Sequence, residues 1–192
     1  MVRGRTDANP QERVEGILDA ALRLLATHGI AGVSMRAVAR EADVGLGLVN
    51  YYYTDKHSLV CAALQRIEEE DVALLDPVPG LDPREQLVAA LKRVAEPALL
   101  TQEYLALRLQ LWSLATAHPD FAAINARAHE RYRARLTDLV REAQPSLSRA
   151  ECRARAADVD VVQNGLWLSA LLGVDRAAVR RALERTESIA LG

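Results

Sequence analysis

The sequence predicts an all-α protein, on three observations. Ala, Leu, Arg and Glu dominate a chain that is 50% hydrophobic but only 4% aromatic, a balance that favours helix. Asn, Asp or Ser repeatedly stands ahead of a Pro or Glu and then of apolar residues at helical spacing. No alternating run of β-branched residues bounded by turns interrupts that pattern. The 192 residues suit one or two domains. About nine helices are expected: an N-terminal three-helix domain holding a helix-turn-helix, residues 1–55, and a C-terminal helical bundle, residues 56–192.

Met1 to Ala8 is polar and carries Arg3 and Arg5; it reads either as a disordered tail or as a basic arm for a DNA minor groove. Asn9-Pro10-Gln11-Glu12 then starts the first helix, with Asn as N-cap, Pro at the first position and Glu closing a capping box. Val14, Ile17, Leu18, Ala21, Leu22 and Leu25 fall on one face, and Gly29 ends the helix. Ser34 caps a second helix whose apolar side is Val38, Ala39 and Ala42, and Asp43-Val44-Gly45 breaks the period as a tight turn. A third helix, about Leu46 to Tyr53, turns Val49, Tyr52 and Tyr53 inward and Leu46, Gly47, Asn50 and Tyr51 outward.

Asp55 caps a fourth helix, from Lys56 to about Leu75, with Leu59, Ala63, Leu64 and Ile67 inward. Its acidic run Glu68 to Asp71 is expected on a solvated face. Asp76-Pro77-Val78-Pro79-Gly80-Leu81 is the clearest linker. Asp82-Pro83-Arg84-Glu85 starts a fifth helix, which Pro97 ends or kinks near Glu96. A sixth runs from about Thr101 to Ala117, and His118-Pro119 opens a seventh that reaches about Ala143. Ser148-Arg149-Ala150-Glu151 is a capping box for an eighth helix to about Leu172; Gly173 ends it, and Asp175 caps a ninth of about fourteen residues. The eighth helix is apolar on several sides, with Val159, Val162 and Leu166 on one and Val161, Leu168 and Leu171 on others. Such a helix needs cover all round, and a second subunit would supply it.

The outward side of the third helix carries no carboxylate, and Gly47 leaves its backbone bare. That suits the DNA major groove, where Asn can read adenine and a phenol can reach phosphate. Arg36 and Lys56 fall in the first turns of the second and fourth helices. Cations oppose the helix dipole there unless an anion also binds, so the two read as phosphate clamps; the plain alternative is ordinary surface charge. The formal net charge of −2 argues against non-specific nucleic-acid binding. Residues 1–60 hold seven Lys/Arg and seven Asp/Glu, so affinity must come from placement, with Glu41 and Asp43 turned away and strong salt sensitivity from few contacts.

Positions 12–59 resemble the DNA-binding domain of TetR-type transcriptional regulators. The shared order is Gly29, the cap Ser34, the turn Asp43-Val44-Gly45, the recognition segment Gly47-Leu48-Val49-Asn50-Tyr51-Tyr52-Tyr53, and Lys56 opening the fourth helix. The chain departs at Gly45, where the family often has Ser or Thr; at Leu46, often basic; at Asn50, usually aromatic; and at Tyr53, usually Phe. These departures bear on the operator sequence, not the fold. More loosely, Leu111-Trp112-Ser113 and Asn164-Gly165-Leu166-Trp167-Leu168 resemble the betaine-regulator-like subgroup.

The resemblance implies a homodimeric DNA-binding regulator, a repressor released from a pseudo-palindromic operator by a small-molecule effector. The eighth and ninth helices would form a four-helix dimer interface, and the two recognition helices would enter major grooves about 34 Å apart. Asn50 and the Gly47 backbone would approach base edges beside Leu46. Ser34, Arg36, Tyr51, Tyr52 and Lys56 would hold phosphates; for Tyr52, packing is an equal alternative. The fourth helix would transmit ligand-driven movement. The bundle of helices five to eight would enclose a pocket, with Tyr104, Arg108, Trp112, Tyr132, Asn164 and Trp167 as candidate lining. For each of these six, core or dimer packing is the alternative role. No cofactor is expected.

Two other classes compete. One is an activator of the same family, or a helical small-molecule-binding protein with weak or lost DNA binding, which Gly45-Leu46 and the neutral N-terminal charge would favour. The other is an enzyme, and little supports it. His28, His57, His118 and His129 are scattered without metal-ligand spacing, Asp158 and Asp160 point to different sides of a helix, and no glycine-rich phosphate loop is present. Cys61 and Cys152 read as buried reduced thiols, with a redox switch as the alternative. With no apolar run near ~18 residues and no signal peptide, a cytoplasmic protein is expected.

Overall fold

Local capping sets where the helices begin. In a computed structural model describing residues 9–173 and 175–192, Asn9 accepts the Gln11 N–H while the Glu12 carboxylate takes the Asn9 N–H at 3.1 Å, opening α1 (Pro10–Gly32). Helical geometry breaks at Gly29, where φ is 61°, a value glycine adopts without a Cβ clash. The expected stop is there, but a further turn runs to Gly32 before Val33 goes extended. The Ser34 hydroxyl accepts the Ala37 N–H at 3.1 Å to start α2 (Met35–Glu41). The turn then passes through Asp43 at φ 54°, which a short polar side chain tolerates better than most. α3 (Leu46–Tyr52) and α4 (Lys56–Ala73) follow, and Asp55 accepts the Ser58 N–H at 2.7 Å at the start of α4.

The chain divides into two compact units, one ending at Arg66 and the other Ile67–Gly192, so α4 belongs in part to each. In the first unit the apolar face of α1 (Ile17, Leu18, Ala21, Leu22, Leu25) is buried together with Val38, Val49, Leu59 and Ala63. Surface ties hold the unit as well: Arg66 pairs with Asp19, and Arg23 with Glu41 at 2.9 Å.

The second unit adds α5 (Pro83–Arg93), a 3₁₀ turn at Pro97–Leu100, α6 (Gln102–Ala117), α7 (Pro119–Ala143), α8 (Arg149–Leu171) and α9 (Arg176–Leu191). Capping boxes at Asp82/Glu85 and Ser148/Glu151 open α5 and α8, and Asp175 caps α9. α7 packs against α5, α6 and α8, and α8 also meets α9. The Asp76–Leu81 linker is pinned rather than loose: Gln86 exchanges hydrogen bonds with both the N–H and the C=O of Val78. One core cluster joins Leu87, Leu91, Leu136, Val140, Cys152, Val159 and Ala190; a smaller one joins Val94, Leu105 and Trp167. Among the described residues the protein is helical without strands, and no helix is long and apolar enough to cross a membrane.

Two details differ from expectation or sharpen it. Cys152 is fully buried, but Cys61 is only half-buried, its sulfur 3.6 Å from His57 Nε2; among the described residues neither forms a disulfide. On α8, Val159, Leu166 and Trp167 face the core, while Val161, Leu168 and Leu172 are between 43% and 75% exposed. With Gly165 these form a stripe at i, i+4, i+7 and i+11, and nothing lies within 4 Å of a Cβ placed at Gly165.

Candidate nucleic-acid interface and polar cavity

The helix-turn-helix presents the face the sequence anticipates. Val49 is fully buried and anchors α3, which leaves Gly47 and Asn50 exposed, Leu46 half-buried and Tyr51 80% exposed. Tyr51 stands edge-on to Tyr52 at 5.1 Å, and Tyr52 and Tyr53 are half-buried. Burial raises the Tyr53 hydroxyl above its ordinary pKa, so it stays neutral. Arg36 and Arg40 are exposed on α2, and Glu41 is occupied by Arg23. Ser34 is exposed but spends its oxygen on the Ala37 N–H.

Lys56 calls for a correction. Its ammonium donates at 2.5 Å to the carbonyl of Ile30, in the turn after Gly29, and the side chain is half-buried. That carbonyl dipole supplies the negative partner that an anion was expected to supply, so helix-end electrostatics require no phosphate at Lys56. Arg36 has no such internal partner among the described residues.

The second unit holds a small cavity between α4, α6, α7 and α8, with a free volume of about 20 Å³, room for roughly one water. Four of the six expected lining residues meet there: Arg108, Tyr132, Asn164 and Trp167. Tyr104 and Trp112 stand behind them. The Tyr104 hydroxyl donates to Asp71 at 2.6 Å, and the Arg108 guanidinium lies 5.7 Å from the Trp112 ring and 4.9 Å from the Trp167 ring. Arg108 also pairs with Asp71 through Nη1, and Trp167 Nε1 donates to the Val94 carbonyl at 3.0 Å.

The other walls were not anticipated: Glu68, Asp71, His129, Asp160 and Gln163. Glu68 and Asp71 are buried, so the run Glu68 to Asp71 is not a solvated face as expected; only Glu69 and Glu70 are exposed. The signal was present in the spacing, since Glu68 follows Leu64 by four residues and Asp71 follows Ile67 by four, on the inward stripe. Asp160 likewise continues the buried series Ala156, Val159, Gln163, Trp167.

Charge inside the cavity is mostly matched. Burial pushes the Asp71 carboxyl up, opposed by the Arg108 charge and the Tyr104 hydroxyl. Burial also works against ionised Asp160, but hydrogen bonds from His129 and Arg133 outweigh it and hold its pKa down; the same contact with Asp160 raises His129. Tyr132 donates to Gln163 at 2.6 Å, and Asn164 to Asp160 at 3.2 Å. Glu68 is 8% exposed and has no hydrogen bond or ion pair among the described residues. Burial raises its pKa to about 7, with Arg108 pulling down and Asp71 pushing up. Arg108 Nε and Gln163 Nε2 are buried donors without acceptors among the described residues.

A helix-turn-helix with an uncharged, exposed second helix, joined to a helical unit with an internal polar cavity, is the architecture of a DNA-binding regulator. The tetR family of bacterial regulatory proteins matches residues 17–63, and the C-terminal domain of BetI-type transcriptional repressors matches residues 83–189. The chain belongs to the TetR family, with a BetI-type C-terminal domain. The regulator BetI of Burkholderia ambifaria (strain MC40-6) is 26% identical over 171 residues, covering 88% of this chain and 87% of the relative. A transcriptional regulator from Pseudomonas aeruginosa PAO1 superimposes with a TM-score of 0.82 at 25% identity, over 96% of this chain and 91% of that one. A regulator from Saccharomonospora viridis, solved in complex with choline, has a TM-score of 0.72 at 22% identity, over 93% and 95% of the two chains.

Proposed function

We propose that this regulator is a homodimeric repressor, released from a pseudo-palindromic operator by a small organic cation that enters the cavity. Residues 1–55 carry the DNA contacts, and residues 56–192 bind the effector and form the dimer. Asn50 and the Gly47 backbone meet base edges beside Leu46, while Ser34, Arg36, Tyr51 and Tyr52 steady the phosphates. The apolar stripe Val161, Gly165, Leu168, Leu172 on α8, continued by α9, is the self-complementary surface of a two-fold dimer.

The observation that carries the effector reading is Glu68, the one carboxylate in the cavity without a partner. Asp71 is matched by Arg108, and Asp160 by Arg133 and His129, so the basic groups of the cavity are turned to the other two carboxylates and none pairs with Glu68. Tyr132 and Trp167 add aromatic lining of the kind that favours a cation, although the Trp167 ring already carries the Arg108 guanidinium at 4.9 Å. Choline, held by the Saccharomonospora viridis regulator, has that chemistry. Because the cavity now holds roughly one water, any effector must widen it, and Glu68 and Asp71 lie on α4. Widening therefore shifts α4, and with it the spacing of the two recognition helices. The test uses genomic fragments retained by the protein at low salt. Choline should release them, and retention indifferent to choline and to other quaternary ammonium ions would contradict the effector step.

A further inference from the structure

We infer that the cavity exchanges a proton for its effector: a cation enters beside Glu68 as the Glu68 carboxyl gives up its proton to solvent. The inference rests on the cation reading above and adds to it a specificity-determining residue and a pH dependence. In the protonated form the empty site holds a neutral carboxyl; after binding it holds a carboxylate and the cation, and that proton has left to solvent. Charge and atoms balance without any other reactant.

The geometry leaves Glu68 little alternative. It is 8% exposed, lines the cavity from α4, and makes no hydrogen bond or ion pair among the described residues. A buried carboxylate without a counter-charge is costly, so the empty cavity favours the protonated form. The charged groups around it are already committed. On α4 itself, Asp71 is held by Arg108 of α6 and by the Tyr104 hydroxyl. From α7, His129 and Arg133 turn to Asp160 of α8, at 3.5 and 2.6 Å. Tyr132 of α7 is neutral and bonded to Gln163. An incoming cation therefore finds one carboxyl able to become its counter-ion. With the Glu68 carboxyl poised at about 7, the exchange takes place across neutral pH.

Linkage fixes the sign. Protonated Glu68 competes with the cation, so apparent affinity rises with pH and levels off once Glu68 is ionised in the free protein. The gain from about pH 6 to about pH 8 is about tenfold. Close to one proton is released at about pH 6, and about a tenth of one at about pH 8. A neutral molecule of the same shape leaves the carboxyl protonated and shows neither effect.

The experiment is titration calorimetry of the full chain with choline and with dimethylbutanol, its neutral carbon isostere. It is run at about pH 6, 7 and 8 in two buffers of different ionisation heat, which reads proton release directly. Choline should bind with the pH trend and proton release above, and dimethylbutanol more weakly with neither. Glu68→Gln should weaken choline binding and flatten both signatures, whereas His129→Gln should keep them. Choline binding to Glu68→Gln with unchanged affinity and proton release would overturn the exchange and leave the cation reading standing, and so would a release that vanishes in His129→Gln alone. Dimethylbutanol binding as well as choline, or no heat from choline or other quaternary ammonium ions at any pH, would overturn the cation reading and the exchange together.

Discussion

Burying Glu68 without a counter-charge costs stability. An acid whose folded pKa is raised, from 4.5 to about 7, binds more proton when folded than when unfolded between those values. Stability therefore falls as pH rises through that window, by up to about 3 kcal/mol once Glu68 is ionised. Glu68→Gln, which mimics the protonated form, should melt several degrees above the parent at about pH 8 and alongside it near pH 5. Equal melting at both would mean that Glu68 is not held in a desolvated site. Neighbouring Asp71 and Arg108 behave differently, because each supplies the other's missing charge and only breaking the pair would expose the cost of burial. Very little of this was legible in the sequence. Arg108 lies 37 residues from Asp71, so no local pattern pairs them, although the four-residue spacing from Leu64 and Ile67 does set Glu68 and Asp71 on the inward stripe. Arg108, Tyr132, Asn164 and Trp167 were legible as cavity residues because large amphipathic side chains in an apolar bundle must bring a polar end to some interior site.

At the scale of single helices the sequence was far more informative, since capping is local chemistry. Asn9/Glu12, Asp82/Glu85 and Ser148/Glu151 each form the reciprocal box their spacing implies, so the starts of α1, α5 and α8 fall where expected. The break at Gly29 was legible for the same reason, whereas the added turn to Gly32 and the Lys56 ammonium on Ile30 depend on tertiary contact. α8 presents the clearest unsatisfied demand. Its outer stripe would bury three large apolar side chains in a partner, each side chain contributing about 1.5–3 kcal/mol. Val161→Glu combined with Leu168→Glu should yield a folded monomer by sedimentation, with unchanged helicity and lost operator binding. A dimer of undiminished stability would move the interface elsewhere.

Across the whole molecule, DNA binding depends on arrangement more than on charge. Residues 1–60 are electrically neutral and the exposed face of α3 carries no cation, which is why the proposed dimer, with two recognition helices at a fixed separation, matters to sequence-specific contact. The fewer the phosphate contacts, the more each matters, and Tyr51, 80% exposed and packed only edge-on against Tyr52, is a contact that can be removed without disturbing the core. The most direct measurement is selection of bound fragments from the source organism's DNA with the purified protein at low salt, in parallel with Tyr51→Ala. The account predicts enrichment of a few short pseudo-palindromes with half-sites about 34 Å apart, lost as salt rises and weakened in Tyr51→Ala at unchanged melting temperature. Absence of any enriched sequence from an intact dimer, or enriched sites without two-fold symmetry, would contradict it.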